Sequence, residues 1–396
     1  MSRTVIKKMR GMEMVCLQIE KEHAQGRNVS LDMLRVLCMF LIILGHAIVH
    51  GQVIESLTPW SINFYLVHAM RAFLSVHVDC FVMLSGYFLC THVFRLKKVF
   101  SLWIQAFFWS VLLYLLLCAV GIVPFQWISL GKACLPFTQR RYWFVTTYLL
   151  MYLLMPLLNA AIRVMSQRQY ATFLMAFFVA YIALQNVFFW NDFTSVDETA
   201  PLLFVFLYLL AAYFRLYPPQ RTRKEYFLCY AVLCLFAAAW KMVIPELTVR
   251  VFGRVVGENI FLTNNSVIVI LAAACLFRFF EGLRISNRHV RKGVELLAPL
   301  TFGIYLIHEQ PEVRGLLWRG WIQPGRFAQS PLLAVVLLGV AAAVFLSCAL
   351  LECLRQKAFE VLSIERLAGT LADKVKPCGA WLIRKTFRLK EDDEGR

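Results

Sequence analysis

Charge is what this chain has least of. Charged residues make up 16% of its 396 positions, against about a quarter in a soluble globular domain. Together with an apolar share of 60% and a mean hydropathy of +0.64, that scarcity excludes a water-soluble domain with an ordinary polar surface. The apolar residues come in blocks of about 20 with polar punctuation, long enough to cross a hydrocarbon core as helices. Other absences narrow the function. Neither a G-x-x-x-x-G-K-S/T nor a G-x-G-x-x-G phosphate loop occurs. None of the 12 cysteines stands in a C-x-x-C pair. Most fall inside the apolar blocks (Cys38, Cys80, Cys90, Cys118, Cys229, Cys234, Cys275, Cys348), and only Cys134 falls in an expected external loop. They read as small apolar fillers and not as a disulfide framework. The 8 histidines are dispersed without an H-E-x-x-H signature, so no metal centre is expected. No repeat at a period of 20–50 residues is found. The first thirty residues are charged and mixed, with no apolar stretch before Leu31. The expectation is that no cleavable signal peptide is present and that the first span itself targets the chain.

What is there is an all-α, polytopic membrane bundle of about ten transmembrane helices. The expected spans lie near 33–50, 62–92, 99–122, 143–162, 170–190, 200–217, 226–244, 261–280, 294–308 and 331–353. The second is too long for one simple crossing, and its first part, Tyr65 to Val76, is expected along the interface, where His68 and Arg71 would suit. With the N-terminus placed in the cytoplasm, most of the 41 lysines and arginines fall in cytoplasmic segments, as the positive-inside rule requires, and both termini are cytoplasmic. The organisation is a cytoplasmic segment at 1–30, a membrane domain at 31–353 and a basic cytoplasmic tail at 354–396, which is able to touch anionic head groups. The net charge of +17 thus reads as topology. Nucleic acid is not an expected partner, because the basic residues are dispersed among short loops and form no patch.

Polar residues inside spans are costly and mark function by default. The first span carries Arg35 and His46, eleven residues apart, which is about three turns and roughly 16 Å along one face of a helix. A neutral imidazole with a free pKa of about 6.5 can take and return a proton at physiological pH. Gly45 beside it permits close approach of a ligand or helix. Asp32, one turn before Arg35, is placed to pair with it and orient it, leaving a guanidinium edge for a phosphate-bearing ligand. The second span holds Asp79, a buried carboxylate in need of a cation or a sugar hydroxyl, and the pair Ser85-Gly86, most simply a close helix–helix contact. Arg95, Lys97 and Lys98 follow as an inner-surface anchor, and as a phosphate site they would lie on the same side as Arg35.

These stretches resemble the acyltransferase 3 family of membrane proteins. Leu31-Asp32-Met33-Leu34-Arg35 followed by His46 matches that family's arginine–ten residues–histidine signature. Asp79-Cys80-Phe81 through Ser85-Gly86-Tyr87 looks like its second-helix motif. Tyr142-Trp143-Phe144 with Tyr148, Tyr152 and Pro156-Leu157-Leu158-Asn159 is similar to a fourth-helix pattern. Gly303-Ile304-Tyr305-Leu306-Ile307-His308 looks like a late-helix motif. Glu309-Gln310-Pro311 with Arg314 and Trp318 resembles a branch that acetylates surface polysaccharides. The resemblance spans roughly residues 28 to 353. It implies an O-acyltransferase of the bacterial inner membrane that carries an acyl group, usually acetyl, from cytoplasmic acyl-CoA to a sugar hydroxyl outside. The donor, acetyl-CoA or another acyl-CoA, is a co-substrate, with no tightly bound cofactor. Arg35, Arg95, Lys97 and Lys98 would meet the CoA phosphates. His46 would act as general base or transient acyl carrier, with Asp32 and Arg35 in support. Asp79, Tyr142, Trp143, Asn159 and Glu309 would contact the glycan or lipid-linked sugar. Trp60 suits stacking on a sugar, Arg140-Arg141 an acidic glycan, and His308 equally a structural helix end. The competing expectation is a transporter or flippase for a lipid-linked sugar, for which the paired interrupted helices common in transporters are not seen.

Overall fold

The computed structural model describes residues 27–137, 141–187, 201–218 and 220–375. Among these the regular secondary structure is all helical, with no strand. The N-terminal segment before Arg27, Arg140, the expected external stretch 192–198 and the tail beyond 375 lie outside the described residues.

Helix α1, Val29–Val49, starts where Asn28 accepts a hydrogen bond from the Leu31 amide at 3.2 Å, satisfying one of the amides a helix start leaves open. The expected long second span breaks into α2, Ile62–Leu74, and α3, His77–Leu89. Then follow α4, Leu96–Ala119, and α5, Trp143–Val164. Helix α6 runs over Gln167–Val187 and widens to a π-helical turn at Phe178–Ala183. After it come α7, Pro201–Leu216; α8, Arg223–Phe252; and α9, Val267–Glu281. The last elements are α10, Arg288–Leu297; α11, Thr301–His308; and α12, Leu333–Val361. Seven of the described helical stretches, with α2 and α3 taken together, are long and apolar enough to cross a membrane. The other three expected spans correspond to the 16-residue α7, the 15-residue α9, and the pair α10–α11.

Helix α1 occupies the middle, in contact with α2, α3, α9, α10, α11 and α12. Helix α3 lies between α1 and α7. It approaches α7 so closely because Gly86 offers no side chain: a Cβ there would run into the backbone of Tyr208. Between membrane helices small residues allow this dispersion-driven contact, since lipid tails give no hydrophobic driving force for association. The expected role of Ser85-Gly86 is seen here. The same device recurs at Gly303 of α11, where a Cβ would collide with the Glu352 side chain of α12. Outward faces stay apolar: Leu153 and Leu157 on α5, and Leu346 and Leu350 on α12, are each more than half exposed. Apolar surface spread this widely would aggregate a soluble protein and is the surface of a multi-pass membrane protein. The ten described cysteines are unbridged.

His68 and Arg71, which the sequence suited to an interface, both face into the protein. His68 is 3% exposed, with its ring 4.4 Å from that of Phe64, and Arg71 lines an internal cavity. The reason is that α2 packs along α8 and turns this face into the protein.

Candidate active site

Two cavities lie along α1, one at Arg35 and one at His46. The Arg35 cavity, about 310 Å³, is bounded by Arg35, Lys98, Ser85, Tyr148, Pro299 and Thr301. Asp32 accepts a hydrogen bond from Arg35 Nη1 at 2.8 Å and also pairs with Arg27. The expected partnership thus forms one turn into α1, and it leaves part of the Arg35 fork for another anion. Lys98 lies with Nζ 5.3 Å from the centroid of the Tyr152 ring, a cation–π distance. Arg95 and Lys97 are exposed just before it, at the start of α4. The four cations expected to act together therefore share one end of the bundle.

The His46 cavity, about 300 Å³, is lined by His46, His50, His77, Arg71, Trp143 and Asn264 among others. His46 is positioned from the side by the end of α11. That helix stops at His308 because Pro311 follows: the residue before a proline is barred from helical geometry, and Gln310 adopts φ −56°, ψ 127°. The break leaves His308 and Glu309 buried, at 0% and 3% exposure. His308 Nδ1 lies 2.6 Å from the Ile304 carbonyl. A carbonyl only accepts, so Nδ1 carries the proton and Nε2 the lone pair. His46 Nδ1 is 3.2 Å from that Nε2 and must donate to it. The pattern assigns both tautomers and leaves His46 Nε2 as a free base on a cavity-lining residue. Glu309 Oε2 is also 3.2 Å from His46 Nδ1, while its other oxygen accepts from Arg314 Nη1 at 2.6 Å. A carboxylate so held stabilises the imidazolium that forms when Nε2 takes a proton. The logic is that of a nucleophile–base–orienter triad.

His46, His308 and Glu309 also have ligand-type atoms within 4.8 Å of one another. The reading of the sequence as devoid of metal constellations missed this, as it missed the four-residue spacing of His46 and His50. Chemically the trio fits a hydrogen-bonded histidine pair beside a carboxylate better than a cation site: Arg314 already supplies a positive charge to Glu309, and a divalent ion would be placed against it.

Of the expected sugar contacts, Trp143 lines the His46 cavity and Glu309 faces His46. Three others are enclosed in the protein away from both cavities. Tyr142 is fully buried and donates to the Leu306 carbonyl at 3.0 Å, so its ring has no free face for a sugar. Asn159 donates to the Leu89 and His92 carbonyls and accepts from Tyr208, at 3.1, 3.3 and 2.7 Å; it ties the end of α3 to α5 and α7. Asp79 is fully buried on α3 and borders neither of the two cavities. Of the arginine pair, Arg141 is engaged by Glu312. Trp60 is 53% exposed.

The sequence reading overlooked His308 as the partner of His46, though it stands in the Gly303–His308 motif. It also overlooked His50, His77, Ser85 and Tyr148 as cavity walls. His77 carries no sequence signal of its own; only the turn between α2 and α3 brings it to Gly45, whose Cβ would lie 3.5 Å from its Nε2.

Comparison with known proteins agrees with this geometry. The family model for an acyltransferase domain, that of the acyltransferase 3 family, matches residues 28–352. That stretch takes in both cavities and all twelve helices but the last turns of α12. Searches of curated proteins and of solved structures return no match. A half-buried histidine beside a carboxylate, a cationic end on the same helix and a family match over most of the chain stand together: this is a membrane acyltransferase and belongs to the acyltransferase 3 family.

Proposed function

We propose that the protein transfers an acyl group, acetyl by first choice, from cytoplasmic acyl-CoA to a hydroxyl of a cell-surface or lipid-linked glycan at the outer side of a bacterial inner membrane. The single observation that carries the reading is the relay at His46: a lone pair on Nε2, fixed by the hydrogen bond from Nδ1 to His308 at 3.2 Å and backed by Glu309. The Arg35 cavity receives the CoA end. Arg35, oriented by Asp32, and Lys98 meet phosphates directly, with Arg95 and Lys97 adding to the attraction at the rim. The acyl-pantetheine arm runs along α1 toward His46. There Nε2 takes the proton of the acceptor hydroxyl as its oxygen attacks the thioester carbonyl, and Glu309 stabilises the imidazolium. The carbon–sulfur bond breaks, and the proton returns from His46 to the CoA thiolate. Trp143 offers an aromatic face to the sugar, and Arg71 and Asn264 offer polar contacts in the same cavity.

The same lone pair serves if the acyl group rests on His46 between donor and acceptor. An acyl-enzyme formed with acyl-CoA alone, absent in His46→Ala, distinguishes that route from direct transfer. The test of function is mass analysis of surface glycans from cells with and without the gene. Loss of O-acyl groups on deletion is the expected result; an unchanged acylation pattern overturns the reading.

A further inference from the structure

The two cavities meet at three phenylalanines. Phe81, Phe144 and Phe302 line both of them, and all three are only half-buried. They come from three different helices, and each marks the point where its helix passes from one cavity to the other. On α3, His77 and Val78 border the His46 cavity, whereas Leu84, Ser85 and Phe88 border the Arg35 cavity. On α5, Trp143 borders the first, and Val145 and Tyr148 the second. On α11, Tyr305 borders the first and Thr301 the second. In each case the residue shared between them is phenylalanine. Phe81 and Phe144 touch edge-to-face, their centroids 5.8 Å apart at 89°; Phe144 also meets the ring of Tyr305 at 5.8 Å, three residues along α11 from Phe302.

From this geometry we infer that Phe81, Phe144 and Phe302 form a collar across a single acyl path. It seals the two cavities from each other at rest and parts only around the acyl-pantetheine arm. The inference deepens the acyl-CoA reading and rests on it. The physical case has two sides. A passage between the two faces of an energised membrane would leak protons if it held a continuous thread of water. An apolar constriction excludes that water by dewetting, and no charged or hydrogen-bonding group stands at the three shared positions. Edge-to-face ring contacts are individually weak, so ring rotation can admit an arm that supplies its own apolar contacts. The collar also protects the donor. Without it, water from the His46 side reaches the thioester: the carbon–sulfur bond breaks, a carbon–oxygen bond to water forms, and the products are a carboxylic acid and CoA thiol. That reaction consumes donor without acylating any acceptor.

The full-length protein in proteoliposomes provides the test, with acetyl-CoA as the probe. Phe81→Ala/Phe302→Ala is expected to raise passive proton permeability several-fold over wild type with no donor present. The same variant is expected to raise the ratio of acetyl-CoA hydrolysed to acyl groups transferred. Phe302→Leu, which keeps most of the apolar bulk, should stay close to wild type in both. Phe302→Trp, which overfills the constriction, should remain proton-tight and slow transfer, with acetyl-CoA binding unchanged. Variants that purify as monodisperse protein yet are as proton-tight as wild type overturn the collar. If the double variant does not purify, Phe302→Trp decides: wild-type transfer rates overturn the collar, and slowed transfer with intact binding supports it. The proton measurement needs no substrate, so failure of the acyl-CoA reading shows separately, as a wild type that neither binds nor hydrolyses acetyl-CoA.

Discussion

At the scale of single residues the proposed chemistry rests on His46 and on what holds it. His46→Ala removes the only base the relay presents and is expected to lower transfer by about 10²- to 10⁴-fold, with the protein still inserted and accumulating; wild-type acylation by the variant would contradict the assignment. Glu309→Gln keeps size and shape but loses the charge opposite the imidazolium. It should lower the transfer rate while leaving acyl-CoA affinity unchanged, a split that a merely structural role would not produce. Arg35 belongs to the other end. Arg35→Lys retains the charge and loses the planar fork that Asp32 orients, so titration of acyl-CoA into nanodisc-held protein should show weaker binding. Arg35→Ala should be worse, and Arg95→Ala intermediate, because Lys97 and Lys98 remain nearby. Equal binding by wild type and Arg35→Ala would return Arg35 to the role of a topological anchor.

At the scale of elements the site depends on helices held unusually close. Gly86→Ala is expected to destabilise the protein by about 1–3 kcal/mol, because the colliding atoms are the α7 backbone at Tyr208 and not a flexible side-chain tip; the midpoint of thermal aggregation in detergent measures it. On α12, the fully buried Glu352 binds Arg355 through both oxygens, at 2.9 and 2.6 Å, and accepts from Trp109 at 2.9 Å and Gln105 at 3.0 Å on α4. Together these bonds lock α4 to α12 beside Gly303 of α11. Glu352→Ala leaves the largely enclosed Arg355 guanidinium without its carboxylate and should cost up to about 3–5 kcal/mol, read as loss of monodisperse protein on gel filtration. Activity retained at wild-type stability would argue that α4 and α12 are held by apolar packing alone.

At the scale of the whole molecule the question is which way the path points. The positive-inside assignment puts the Arg35 end in the cytoplasm. A reporter fused after residue 396, or placed in the Arg221–Lys224 loop, is expected to read cytoplasm, and one near Asp192–Glu198 the outside. A reversed result at either end would remove the cytoplasmic entry route for CoA. The direction matters energetically as well as for supply: on the proposed reading the Arg35 end gathers the cations that would attract a polyanionic donor, whereas the His46 end, with its histidines, Arg71 and Trp143, would face the sugar.

The sequence by itself determined that this is a helical membrane protein, and that Arg35, Asp32 and His46 share one helix. Apolar block length, charge placement and the 3.6-residue period are local properties, readable without knowing what packs against what. The same holds for the close contact at Gly86, announced by a small-residue pair in an apolar run. Tertiary structure alone decided what His46 does with its second nitrogen, because His308 and Glu309 approach it from 262 and 263 positions away. It also decided that Tyr142, Asn159 and Asp79, polar groups that looked available in a linear reading, are enclosed within the protein. Cost in the membrane predicts that a buried polar group has a partner but not whether that partner is protein or substrate. That choice depends on which helices stand beside it, and so does the meeting of three phenylalanines from three helices at one level of the bundle.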